Sequence, residues 1–118
     1  MVLVDTSVWV AHLRDGDVGL ESLLNDGIAV CHPFIVGELA CVTLENRSVI
    51  LSLLQTLPMA SPAEDYEVLT FIEKHCLMGK GLGYIDMHLL VSALLNNIRL
   101  WTLDKKLNEI SSIFKKAY

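Results

Sequence analysis

Short apolar runs alternate along this chain with longer stretches of helical character. Val2-Leu3-Val4 ends at Asp5, and Ile28-Ala29-Val30 follows the turn Asn25-Asp26-Gly27. Met59-Ala60 is a weaker third run, and Arg99–Thr102 is a fourth strand-like segment that leads to Asp104. Uninterrupted apolar runs of this length suit strands buried on both faces, as in parallel sheets. The connections between them are long enough for crossovers, so an α/β fold is expected, with helices on both faces of a parallel sheet. At 118 residues the chain should form one domain, residues 1–118.

The helices follow from local signals. Ser7 is placed to cap the first, which carries Val8, Ala11 and His12 on one side and ends at Asp15-Gly16. Leu20, Leu23 and Leu24 mark a second. Pro33 opens a third through about Leu44, and Val49–Leu57 reads as a fourth. Ser61-Pro62-Ala63-Glu64 has the form of a capping box, with the following helix turning Val68, Leu69, Ile72 and Cys76 inward. After the loop Gly79–Gly83 a long helix runs from about Tyr84 to Asn96, and Asp104 starts the last.

Composition narrows the function. Apolar residues make up 53% and charged residues 19%, enough apolar surface that some is expected to be covered by a partner or a second copy. The net charge of −5 argues against broad, charge-driven nucleic-acid binding, although a cation can compensate acids gathered in one site. Lys105, Lys106, Lys115 and Lys116 crowd the last fourteen positions, as a solvated helix or as a backbone-contacting patch. Cys31, Cys41 and Cys76 are odd in number without C-x-x-C spacing and read as buried free thiols of a reducing cytosol. Zinc on Cys31, His32, His75 and Cys76 has no supporting spacing. MVLVD lacks the basic segment of a signal peptide, and no apolar stretch is long enough for a bilayer, so a cytoplasmic protein is expected.

Four acids stand out. Asp5 and Asp104 lie at the carboxyl ends of strands, where open parallel sheets bind ligands, although each could equally cap the next helix. Glu38 and Asp86 are harder to dismiss. Ile35, Cys41 and Val42 surround Glu38 at helical spacing, and Leu89, Leu90 and Ala93 follow Asp86, so both carboxylates fall on apolar faces. An unpaired buried carboxylate costs several kcal/mol, roughly, and must pair, protonate or bind a cation. Four carboxylates converging on one sheet edge repel unless a divalent ion neutralises them, and oxygen-only ligation selects Mg²⁺ or Mn²⁺ over zinc.

The segments VDTSVW, HPFIVGELA, GYIDMHLLVSAL and LWTLD resemble, in order, the signature segments of PIN-domain ribonucleases, in particular VapC toxins of bacterial toxin–antitoxin pairs. The resemblance spans Val4 to Asp104, with Glu45–Lys80 contributing little. It implies a Rossmann-like PIN fold of four or five parallel strands in the order 3-2-1-4-5. A fifth strand would have to come from near Ile113-Phe114. The resemblance places Asp5, Glu38, Asp86 and Asp104 as the catalytic, metal-binding acids. It further implies Mg²⁺ or Mn²⁺, hydrolysis of RNA phosphodiesters, a homodimer and a VapB-like antitoxin.

Other residues are weaker candidates. His88 should turn away from Asp86 toward the surface, and His12 should be packed. Thr6, Ser7 and Thr102 could hold metal-bound water or cap helices. The Gly79–Gly83 loop lacks a phosphate-loop motif, and Asp15-Gly16-Asp17 lacks the rest of a calcium loop. An Asp5-based phosphotransfer domain is a competing reading. It lacks a second Asp at Ser7, as a dehalogenase-like phosphatase needs, and the paired acids of a receiver domain. A non-catalytic PIN-like scaffold is the other, and it gives no reason to place Glu38 and Asp86 on apolar faces.

Overall fold

The computed structural model describes residues 1–16 and 19–118. Asp17, and with it part of the Asp15-Gly16-Asp17 triplet, lies outside the described residues. Among the described residues, three strands form the sheet: β1 (Val2–Val4), β2 (Ala29–Val30) and β3 (Arg99–Trp101). Their order is β2-β1-β3, all parallel, with Leu3 opposite Val30 on one side and Leu100 on the other. Single parallel bridges extend the sheet at both edges, Cys31 with Met59 and Leu100 with Ala117. Read across these five positions, the order is 3-2-1-4-5.

The sheet is therefore shorter than four or five full strands. Met59 contributes one bridged residue, flanked by Cys31 N–H to Pro58 O and Ala60 N–H to Cys31 O, both 2.8 Å. The fifth position is taken by Lys116–Tyr118 and not by Ile113-Phe114. The last helix keeps Leu107 and Ser111 buried and runs on to Ile113, so the chain returns to the sheet only after a left-handed turn at Lys115.

Among the described residues, seven helices surround the sheet: α1 (Thr6–Asp15), α2 (Leu20–Asn25), α3 (Pro33–Ala40), α4 (Arg47–Leu54), α5 (Asp65–Lys74), α6 (Tyr84–Leu95) and α7 (Lys105–Ile113). α6 is the central one. Seven consecutive residues, Met87 to Ala93, are buried, so it is covered on every side. Leu3, Leu89, Leu90 and Leu100 are fully buried at the centre of the core, with Ile35 and Leu39 of α3 and Leu107 of α7. Val68, Leu77, Met87 and Val91 form a smaller cluster between α5 and α6.

Several helix ends differ from expectation. α1 begins at Thr6 with Asp5 in the N-cap position, so Ser7 lies inside the helix. α3 stops at Ala40 instead of Leu44, where Arg47 folds back and donates to the Ala40 carbonyl from Nε and Nη2 at 3.2 and 2.7 Å. The capping box is one turn later than Ser61: Glu64 is the N-cap of α5 and its N–H donates to Glu67 Oε1 at 2.9 Å. Ser61 instead exchanges backbone bonds with the Asn96 amide, which ties the entry of α5 to the end of α6. Cys31 is buried, but Cys41 and Cys76 are exposed free thiols. Among the described residues no helix is long and apolar enough to cross a membrane.

Candidate active site

β1 and β3 run parallel, so their carboxyl ends emerge at the same edge and deliver Asp5 and Asp104 there. Asp5 is only 6% exposed. Its side chain caps nothing; Oδ2 accepts from Ser7 Oγ at 2.7 Å and from Thr102 Oγ1 at 2.8 Å. Asp104 does cap α7, Oδ1 accepting the Leu107 N–H at 2.9 Å, while its own N–H donates to Thr102 Oγ1 at 3.0 Å. Thr102 thus links the two strand-end acids.

The helical acids come from α3 and α6. Glu38 reaches α1, where Thr6 Oγ1 donates to Oε1 at 2.7 Å. Asp86 sits in the first turn of α6, Oδ2 accepting the Gly83 N–H at 3.0 Å. Both are half-buried. Burial is the largest influence lifting the Glu38 pKa; the Thr6 bond pulls it back, and the charges of Asp5 and Asp86 lift it further. Asp86 behaves alike: burial raises it, the Gly83 N–H lowers it, and Asp5 and Asp104 raise it. The four carboxylates therefore share one electrostatic neighbourhood, with Asp5 felt by both helical acids.

Each acid has one oxygen on an internal donor, and among the described residues no hydrogen bond engages the other oxygen. Among the described residues, no three His, Cys, Asp or Glu side chains are already drawn into a metal-ligating group. The internal donors leave one oxygen of each carboxylate free for a hard cation. The donor set fits a divalent ion that takes oxygen ligands.

The sequence matches the PIN domain over residues 2–113. Over 108 residues, 91% of this chain and 87% of the relative, it is 46% identical to Ribonuclease VapC32 of Mycobacterium tuberculosis, in both the CDC 1551 / Oshkosh and the H37Rv strains. The chain belongs to the PIN-domain family, in its VapC branch. The β2-β1-β3 sheet, with bridged residues at both edges, is this PIN domain's version of the Rossmann-like order.

The PIN domain's hydroxyls have a clearer task than sequence reasoning gave them. Thr6, Ser7 and Thr102 orient the carboxylates, with Ser7 Oγ also accepting the Leu103 N–H at 3.0 Å. A signal for this was present, because Ser7 and Thr102 each stand two residues from a strand-end acid. Lys106 was not singled out as a site residue; its side chain lies across Gly81, where a Cβ would meet Nζ at 2.5 Å. The Lys106 tail is flexible and can move aside, so it is the φ of +80° that favours glycine at position 81.

Of the histidines, His88 diverges from the expected surface position. His88 is buried, 1% exposed, with Nε2 2.9 Å from Asp65 Oδ1, because α6 has no free face for it. Tyr84 donates to the same Asp65 oxygen at 2.9 Å. His32 caps α3, Nδ1 accepting the Phe34 N–H at 3.0 Å and Nε2 meeting Ser92 Oγ at 3.2 Å, so neither nitrogen is left for zinc. Burial, then the nearby His88, lowers the His32 pKa to about 4. His75 packs instead against Phe71 and Phe114.

Proposed function

We propose that this PIN domain, residues 1–118 as one unit, is a metal-dependent ribonuclease whose ligands are Asp5, Glu38, Asp86 and Asp104, with Mg²⁺ or Mn²⁺ as the ion. The observation that carries the reading is the meeting of four carboxylates at one sheet edge, two of them lifted by burial and by their acidic neighbours. Structural salt bridging does not account for them, because the single ion pair among the described residues joins His88 to Asp65.

A bound divalent ion supplies an activated water and charge stabilisation for phosphodiester hydrolysis. The chain's residues do the rest. Ser7 and Thr102 fix Asp5 in one rotamer, Thr6 fixes Glu38, and the Gly83 N–H fixes Asp86, so free oxygens are aimed before substrate arrives. Because the helical acids resist ionising together, they favour any state in which positive charge stands among them.

The kinship with Ribonuclease VapC32 supports RNA as substrate, a role as toxin of a toxin–antitoxin pair, a VapB-like antitoxin partner and a cytoplasmic setting. Exposed Val49 and Leu53 on α4 and Tyr66 and Leu69 on α5 support a homodimer or antitoxin contact. Incubation of purified protein with RNA and Mg²⁺ or Mn²⁺, beside Asp5→Asn and a chelator control, tests the activity. Cleavage that survives in both controls would remove the assignment.

A further inference from the structure

The four lysines that crowd the end of the sequence part company in the fold. Lys105 and Lys106 open α7 beside Asp104, at the acid edge. Lys115 and Lys116 follow its last turn, about 13 Å further along the helix. There they meet Arg99, which starts β3 at the opposite edge of the sheet from the acids. Together with Met1, Asn97 and Tyr118 these cations line a hollow of about 510 Å³.

No acidic side chain lines this hollow, and none of the three cations takes part in an ion pair among the described residues. Three positive charges without an ion pair among the described residues stand together in a chain whose net charge is −5. Their backbone is fixed: Leu100 N–H donates to Lys116 O at 2.7 Å, Tyr118 N–H to Leu100 O at 3.1 Å, and Lys116 N–H to Ser111 O at 2.8 Å. Lys116 Nζ is held by Asn97 Oδ1 at 2.6 Å, which positions the ammonium without neutralising it.

We propose that Arg99, Lys115 and Lys116 form a second RNA-binding site, which grips backbone phosphates of the substrate remote from the bond that is cut. The proposal rests on the ribonuclease reading and deepens it. An acidic cleft repels a polyanion, so cations outside it add to the affinity for RNA. β1 joins the two edges, from Val2 beside the hollow to Asp5 in the cleft, about 10 Å at the rise of a strand. An RNA that touches both must pass around the end of the sheet, so only structured or long substrates engage the two at once.

The test uses full-length protein carrying Asp5→Asn, in chelator, with fluorescence anisotropy of a labelled RNA stem-loop, beside duplex DNA and anionic lipid vesicles. Adding R99Q, K115Q and K116Q together should weaken stem-loop binding at least about tenfold and reduce the salt slope of log K by about 2 to 3. R99K/K115R/K116R should retain stem-loop affinity. An unchanged slope, or a loss in the charge-conserving variant, overturns the proposal. So does weakened binding of duplex DNA or of anionic lipid vesicles with RNA binding intact. Binding is read without cleavage, so a protein that holds the stem-loop here yet cuts no RNA would sink the nuclease reading and leave this site standing.

Discussion

Asp86→Asn separates the charge of the acid cluster from its shape. An asparagine carbonyl can keep the bond from the Gly83 N–H, so the start of α6 survives and a half-buried negative charge is lost. Burial and the neighbouring Asp5 and Asp104 lift Asp86, and Asp86 in turn helps to lift Glu38, so two groups are relieved at once. Each unit by which a folded carboxyl lies above its unfolded value costs about 1.4 kcal/mol at neutral pH, before discounting for solvent screening. Against this stands the lost attraction of Asp86 for the amino end of α6, about 0.5 kcal/mol. The net expectation is a metal-free variant that is more stable and melts at a higher temperature than the wild type. The sign also fixes the pH profile. Groups with raised folded pKa stabilise fully below the ordinary carboxylate range, and that stability is lost as pH rises through their folded values. The variant's advantage should therefore grow from about pH 4 toward neutrality. Thermal unfolding followed by circular dichroism, in chelator at low ionic strength, reads both effects. A variant that melts at or below the wild type at neutral pH, or a gap that does not widen with pH, refutes the repulsion argument.

Other consequences are checked more simply. Adding Mn²⁺ to the wild type should raise Tm, by about 2.7 kcal/mol of stability at 100 times the dissociation constant, and Asp86→Asn should blunt this gain; a metal-independent midpoint counts against the site. Thr102→Val removes the donor to Asp5 and the acceptor for the Asp104 N–H, so it should cost about 1–3 kcal/mol and lower kcat more than it raises KM. His32 holds a folded pKa of about 4, below its ordinary 6.5, so its contribution is intact above 6.5 and drains by up to about 3 kcal/mol as pH falls through that window. His32→Asn, which keeps an acceptor for the Phe34 N–H, should flatten the stability profile there; an unaltered acid limb would contradict the buried neutral imidazole.

The sequence carried the architecture where period and polarity agreed. Val2-Leu3-Val4 before Asp5, and Leu100-Trp101 before Asp104, were readable as strands because burial on both faces demands continuous apolar residues. Glu38 and Asp86 were readable as anomalies on apolar helix faces. What was not legible depended on tertiary partners. Nothing local marks Arg47 as the residue that stops α3 at Ala40, and Glu64 displaces Ser61 as a cap only because Asn96 claims the Ser61 backbone. His88 looked peripheral from its angle to Asp86. Burial of α6 on all sides, with Asp65 arriving from α5, is a packing outcome that helical spacing does not encode.

The central claim is that four carboxylates at one sheet edge cut RNA with a divalent ion, and Asp5 is where one substitution tests it most directly. Asparagine at position 5 preserves an oxygen for Ser7 Oγ and Thr102 Oγ1, so the fold and the second RNA site should stand while the ligand charge is gone. RNA cleavage by the wild type should require Mg²⁺ or Mn²⁺, stop with chelator, and fall by at least about a hundredfold in Asp5→Asn at an unchanged circular dichroism spectrum. Cleavage by Asp5→Asn at the wild-type rate, or by wild type stripped of metal, would contradict the account.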